Sequence, residues 1–341
     1  MGTRRTEGPL SPRSTRGLSS RAGVARLTND QANLRPRTDF DGRALELDFP
    51  GLEIGCAEYD EGPTGCTVFS FLPGGVACAT DVRGGSPGTI GDYEWVHAIC
   101  LAGGSLYGLE AATGVAAEIF AQREFATGWL DIPLVSGAII FDWGPRDNGV
   151  YPDKDLGRAA LRSARPGWFP LGAHGAGRSA TAGKTFAYEQ GEPAGQGAAF
   201  RTIGDTKIGV FTVVNAVGAI VDRDGRVVRG HRDPTTGERS ALVPGVEARL
   251  ATGAPVRPLP GSTTLTVVAT NQKLDQRELR TLARQVHASM ARAIQPFHAL
   301  VDGDVLYAVT TNEIESPQLE SIGLGVVASE LAWDAVLSCL D

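Results

Sequence analysis

Cysteine and histidine are scarce in this 341-residue chain, five of each, and neither occurs at a metal-binding spacing. Cys56, Cys66, Cys78, Cys100 and Cys339 include no C-x-x-C pair, and His97, His174, His231, His287 and His298 include no H-x-x-H. That pattern argues against a zinc ribbon or a zinc-protease helix, and no metal is expected. An odd set of scattered thiols reads as small buried hydrophobes in a reducing compartment, so a cytoplasmic protein is expected. Long apolar runs are also missing. The best candidate, residues 97–121, is broken by Glu110 and Glu118, short of the roughly 18–20 apolar residues that span a bilayer. It reads as a buried helix, and no membrane partner is expected. Nor is there an excess of positive charge: the net charge is −7, and because residues 1–40 hold eight arginines and three acids, the rest of the chain stands at −12. An acidic body of that kind argues against nucleic-acid binding.

What is present is a globular composition, 42% hydrophobic and 21% charged. The basic arm over 1–44 lacks the apolar core of a secretory signal. It is Arg- and Ser-rich, as transit peptides are, but reads as a disordered, solvated tail. Beyond it, strands are expected at 46–49, 52–59, 66–72, 76–82 and 134–143. Further strands follow at 207–214, 218–228, 264–270 and 305–311. Helices are expected at 104–122, 153–164, 275–294 and 325–340. Asp275 and Glu278 are spaced as a capping box ahead of the third of these. Residues 81–89 read as a sharp Gly-rich loop, and 237–260 as an exposed linker. Runs of strands and runs of helices suggest a layered α+β or α/β domain.

Gly183-Lys184-Thr185 invites a phosphate-loop reading, but the glycine that motif needs five residues before Gly183 is Arg178. Residues 258–271 carry more. A Pro-rich segment runs through Gly261 and Ser262 straight into a Thr-rich strand beginning at Thr263. On spacing alone this is a loop entering an edge strand with threonines on its polar face. The chemistry that would use the layout is self-cleavage. A Thr hydroxyl attacks the preceding carbonyl and, after hydrolysis, becomes the N-terminal residue, whose own amine serves as base. Spacing does not separate Thr263 from Thr264, although they lie on opposite strand faces. Asp302-Gly303-Asp304 is either a turn capped by its carboxylates or a carboxylate pair near that new amine. Lys184 is one of only four lysines against 28 arginines, and a buried lysine can lose its proton where arginine cannot. Asn215, at the end of an apolar strand, either supports a turn or donates to an oxyanion.

The stretch Gly-Ser-Thr-Thr-Leu-Thr-Val-Val-Ala-Thr-Asn at 261–271 resembles the nylon oligomer hydrolases (6-aminohexanoate-oligomer endohydrolases) of the wider DmpA-type and β-aminopeptidase family. So do Gln-Val-His-Ala-Ser-Met at 285–290, Ile-Gln-Pro-Phe-His at 294–298 and Ala-Val-Thr-Thr-Asn-Glu-Ile at 308–314. Asp-Val-Arg-Gly-Gly at 81–85, His-Ala-Ile-Cys-Leu-Ala-Gly-Gly at 97–104 and Val-Tyr-Pro-Asp-Lys at 150–154 extend the likeness upstream. It covers roughly residues 45–341 and leaves out the arm.

The resemblance implies an α+β fold, a four-layer αββα sandwich of the N-terminal-nucleophile type. Cleavage between Ser262 and Thr263 would divide it into an α-subunit part, 45–262, and a β-subunit part, 263–341. It carries catalytic roles onto Thr263, Lys184, Asn215, Asp302 and Asp304, and it implies a homotetramer of cleaved units. Two positions depart from the pattern. Ser262 stands where those hydrolases have Asn, which bears on cleavage rate. Phe141 stands where they have Tyr, which bears on substrate binding. The expected activity is hydrolysis of linear amides such as 6-aminohexanoate oligomers. The alternatives are an aminopeptidase, an acyltransferase using the same acyl-enzyme, and a non-catalytic assembly protein matured by cleavage.

Overall fold

Two sheets stack face to face, and each is covered on its outer side by a pair of helices. The computed structural model describes residues 26–253, 261–315 and 317–340. In chain order the long elements are β1 (Glu53–Tyr59), β2 (Thr64–Ser70), β3 (Val76–Val82), β4 (Ala98–Ala102), α1 (Leu109–Gln122), β5 (Val135–Ile139) and α2 (Lys154–Arg162). They continue with β6 (Gln196–Ile203), β7 (Thr206–Asn215), α3 (Leu242–Ala251), β8 (Thr263–Gln272), α4 (Gln276–Ser289), β9 (Val305–Ile314) and α5 (Ser321–Ser338). One sheet runs β1-β2-β4-β5 and ends on the short strand Thr89–Ile90. The other runs β6-β7-β8-β9-β3 and ends on Trp95–Val96.

The core follows from this layering. Phe69, Phe169, Phe211, Leu265, Val267 and Tyr307 fill the space between the sheets. Val210, Val268 and Leu306 face Leu279, Val286, Leu331 and Ala335 of α4 and α5. Val68 and Cys100 face Val115, Ile119 and Leu156 of α1 and α2. This is the αββα sandwich the resemblance implied. The capping box of α4 is present, with Asp275 and Glu278 each accepting the other's backbone N–H. All five cysteines are buried, and Cys56, Cys66, Cys78 and Cys100 are free thiols.

Three expectations are corrected. The strand holding Thr263 is central, not an edge: β7 pairs with it antiparallel and β9 parallel, and all ten of its residues are buried. Its threonines are tolerated there because they find partners. Thr266 meets Thr212 at 3.1 Å and donates to the sulfur of Met290. Residues 237–260 contain α3, because Pro244 lies in its first turn, where the missing N–H costs nothing. Residues 254–260 of that segment lie outside the described residues.

The arm expectation over 1–44 also changes. Residues 1–25 lie outside the described residues, but 26–44 sit on the body. Asn29 bonds Tyr151 and Asp153, and Arg37 exchanges backbone hydrogen bonds with Glu58 at 2.8 and 2.9 Å. Finally, α5 is long and apolar enough by composition to cross a membrane. Here it is a core helix. Leu324, Ala328, Leu331 and Ala335 are buried on the sheet, while Glu330 and Asp334 pair with Arg223 outside.

Candidate active site

The site forms where β7 ends and β8 begins. Antiparallel pairing sets Asn215 directly opposite Thr263. The residue before Thr263 is tied to the loop at 301–303 from both sides. Ser262 N donates to Val301 O at 3.0 Å, and Gly303 N donates to Ser262 O at 2.8 Å. Thr263 Oγ donates to that same carbonyl oxygen at 2.6 Å. The hydroxyl therefore lies against the carbonyl whose carbon it would attack. The neighbouring Thr264 hydroxyl is buried with no hydrogen-bond partner among the described residues. Of the two candidates, only Thr263 faces the Ser262 carbonyl.

Lys184 is brought in by the segment after Thr181, whose backbone docks on the turn following β7: Lys184 N donates to Val217 O at 2.7 Å. Its Nζ donates to Thr181 O at 2.9 Å, Thr181 Oγ at 3.1 Å, and Asn215 O and Oδ1 at 3.2 Å each. Asn215 Oδ1 also accepts Thr181 N, and Asn215 Nδ2 donates to Phe141 O at 2.8 Å. Two donors on Oδ1 dictate which way the amide points, so the Asn215 NH2 group is aimed away from the lysine. Burial pushes the Lys184 ammonium down to about 7, against the pull of Asp302. That shift is large because burial disfavours the charged form, and neutral oxygens around it compensate only in part.

The two aspartates act through backbone. Asp302 Oδ1 accepts Val217 N at 3.2 Å and Oδ2 accepts Ala299 N at 2.9 Å. Asp304 Oδ1 accepts Thr264 N at 2.6 Å, which pins the start of β8. Both are fully buried. Burial and the charge of Asp304 push the Asp302 carboxyl upward, while the two N–H groups and Lys184 oppose this. Phe141 enters through its main chain. Its side chain lies beside Gly261, with Cβ 3.7 Å from where a Gly261 Cβ would be.

The structure thus brings Ser262, Thr263, Lys184, Asn215, Asp302, Asp304 and Phe141 into one network. Sequence reasoning missed three members. Thr181 helps hold Lys184, and Gly303 donates to the Ser262 carbonyl. His298 donates to Asp304 Oδ2 at 2.9 Å through Nδ1 and at 3.2 Å through its own backbone N. Its ring stands edge-on to His287, which bonds Asp81. The only sequence signal for His298 was its closeness to Asp302 and Asp304. Gly303 lay inside the Asp302-Gly303-Asp304 motif, but nothing in the sequence marked its N–H, and for Thr181 there was no signal.

Residues 47–339 match the family model of peptidase family S58. A 6-aminohexanoate-oligomer endohydrolase of Agromyces sp. is 47% identical over 319 residues, covering 91% of this chain and 89% of that protein. The protein of the same name from Paenarthrobacter ureafaciens matches to the same extent. An uncharacterized aminopeptidase of Mycobacterium bovis is 32% identical over 74% of this chain and 75% of its own. Among solved structures, a Burkholderia sp. β-aminopeptidase superposes with a TM-score of 0.64 at 16% identity, covering 87% of this chain and 88% of that one. An L-aminopeptidase D-Ala-esterase/amidase from Ochrobactrum anthropi, described as a variant of the Ntn hydrolase fold, gives 0.61 at 16% identity, covering 89% and 88%. The chain belongs to peptidase family S58, and it is an amide-bond hydrolase.

Proposed function

We propose that the chain cleaves itself between Ser262 and Thr263 and then hydrolyses linear amides with Thr263 as an N-terminal nucleophile. The observation that carries this is the 2.6 Å contact of Thr263 Oγ with the Ser262 carbonyl oxygen, inside a buried strand start. Once freed, the Thr263 α-amine has an ordinary pKa of about 7.7–8.0 and serves as general base, then as acid to the leaving amine. Asn215 Nδ2, aimed by Lys184 and Thr181 on its other atom, is the oxyanion donor for the substrate. Asp304 holds the Thr264 amide and so the strand start, and Asp302 holds the loops at 217 and 299 around it.

The relatives at 47% identity favour 6-aminohexanoate oligomers as the substrate class. The same reading includes a homotetramer of cleaved units and a reducing, cytoplasmic setting, the latter supported by the free buried thiols of Cys56, Cys66, Cys78 and Cys100. An aminopeptidase reading is favoured by the mycobacterial relative and the two structural neighbours. End-group analysis of products from a 6-aminohexanoate oligomer separates internal cutting from release of single N-terminal units.

Intact mass under denaturing conditions tests the core of the proposal. Wild type is expected as two fragments, 1–262 and 263–341, and Thr263→Ala as one 35.8 kDa chain. A wild type that stays whole after long incubation refutes self-processing. Cleavage of the alanine variant moves the nucleophile elsewhere.

A further inference from the structure

The Gly-rich loop after β3 has no part in the mechanism above, yet it grips the segment beside the scissile bond. Arg83 N donates to Asp304 O at 2.8 Å, and Ser86 N donates to Asp302 O at 2.9 Å. The two backbones meet without room for side chains. A Cβ on Gly84, which has φ +81°, would lie 2.2 Å from Asp302 O, and one on Gly303 would lie 2.3 Å from Ser86 O. Gly303 is therefore held on both flanks, and its own N–H is left pointing at Ser262 O, 2.8 Å away.

The geometry points to the Gly303 backbone N–H as the oxyanion donor of the self-cleavage step. This rests on the self-processing reading and adds a second, separate oxyanion site to it. In the step, Thr263 Oγ forms a bond to the Ser262 carbonyl carbon, whose oxygen takes the negative charge. The carbon–nitrogen bond to Thr263 then breaks, and the hydroxyl proton ends on the released amine. Water next attacks the ester, adding its OH to the acyl carbon and returning its other hydrogen to Thr263 Oγ; the Ser262 carboxylic acid then ionises by giving its proton to the free amine or solvent. A donor already seated on the carbonyl strengthens its hydrogen bond as charge develops and needs no reorganisation. Asn215 Nδ2 makes its hydrogen bond to Phe141 O, not to Ser262 O, in the uncut chain, so the carbonyl's seated backbone donor is Gly303.

The test removes that N–H, at the cost of a weaker acceptor at Asp302 O for Ser86 N. Glycolic acid is placed at position 303 of the full chain by cell-free translation, turning one backbone amide into an ester. Cleavage is followed by intact mass beside wild type. Loss of an oxyanion donor is expected to slow cleavage roughly 100- to 1000-fold, with a wild-type circular dichroism spectrum. Cleavage at the wild-type rate overturns the assignment. An uncut wild-type control instead fails the self-processing reading, so the two failures are distinct. Should the ester chain not fold, amide hydrogen exchange of the uncut Thr263→Ala chain decides. The Gly303 amide is expected to be protected against exchange relative to exposed loop amides, and an unprotected one overturns the assignment.

Discussion

Two buried charges in this protein are treated in opposite ways. Glu58 has a fully buried side chain, and cations surround it: Arg37 Nη2 lies 2.5 Å and Arg178 Nε 3.1 Å from its carboxylate. Gly175 N donates to it at 2.7 Å as well. Lys184 is equally buried, but it bonds only neutral oxygens, and no carboxylate among the described residues lies within ion-pair reach. A compensated buried charge ties segments together, here joining the arm, β1 and the loop at 175. An uncompensated one is destabilising, and its perturbed proton affinity marks a functional position.

Breaking the second cluster tests this most strongly. Lys184→Met removes the donor that orients Asn215, and amide hydrolysis is expected to fall by roughly 100- to 1000-fold. The same variant should melt no lower than wild type at pH 6, because a buried charge has been replaced by an apolar chain of similar length. A large loss of melting temperature with intact kinetics would reverse the roles assigned to the two clusters. Breaking the first cluster should do the opposite. Arg37→Ala leaves Glu58 with Arg178, the Gly175 N–H and, 3.5 Å away, His174; a loss of about 2 kcal/mol in urea unfolding is expected, with turnover of the folded enzyme near wild type.

A third test sharpens the comparison through pH. Native Lys184 releases its proton at about 7, whereas in the unfolded chain it keeps it to about 10.4. Between those values the unfolded state binds more protons, so stability contributed at this site rises with pH. The melting temperature of the uncut Thr263→Ala chain, minus that of Thr263→Ala/Lys184→Met, should climb from pH 7 to 10. A flat difference would show that burial does not perturb this lysine.

Much of this was legible in the sequence, for identifiable reasons. The α4 capping box and its stripe of Leu279, Leu282 and Val286 were readable because helix periodicity and caps are local. The centrality of β8 was not. Alternating threonines look like a polar face until Thr212 and Met290 are found beside them. The seating of residues 26–44 was hidden for the same reason: Arg37 reads as tail charge unless Glu58, 21 residues on, is known to be buried beneath it.

By itself the sequence determined the layered α+β class and, through the resemblance, the family and the candidates Thr263, Lys184, Asn215, Asp302 and Asp304, because motifs and periodicities are written in order along the chain. Only the tertiary structure decided that Thr263 rather than Thr264 faces the Ser262 carbonyl, that Lys184 bonds Asn215 and Thr181, and that Gly303 and His298 belong to the network. Those are matters of which strand face points where and which loops touch. They depend on register and packing between segments more than a hundred residues apart in the case of Lys184 and Asp302, and residue order carries no record of them.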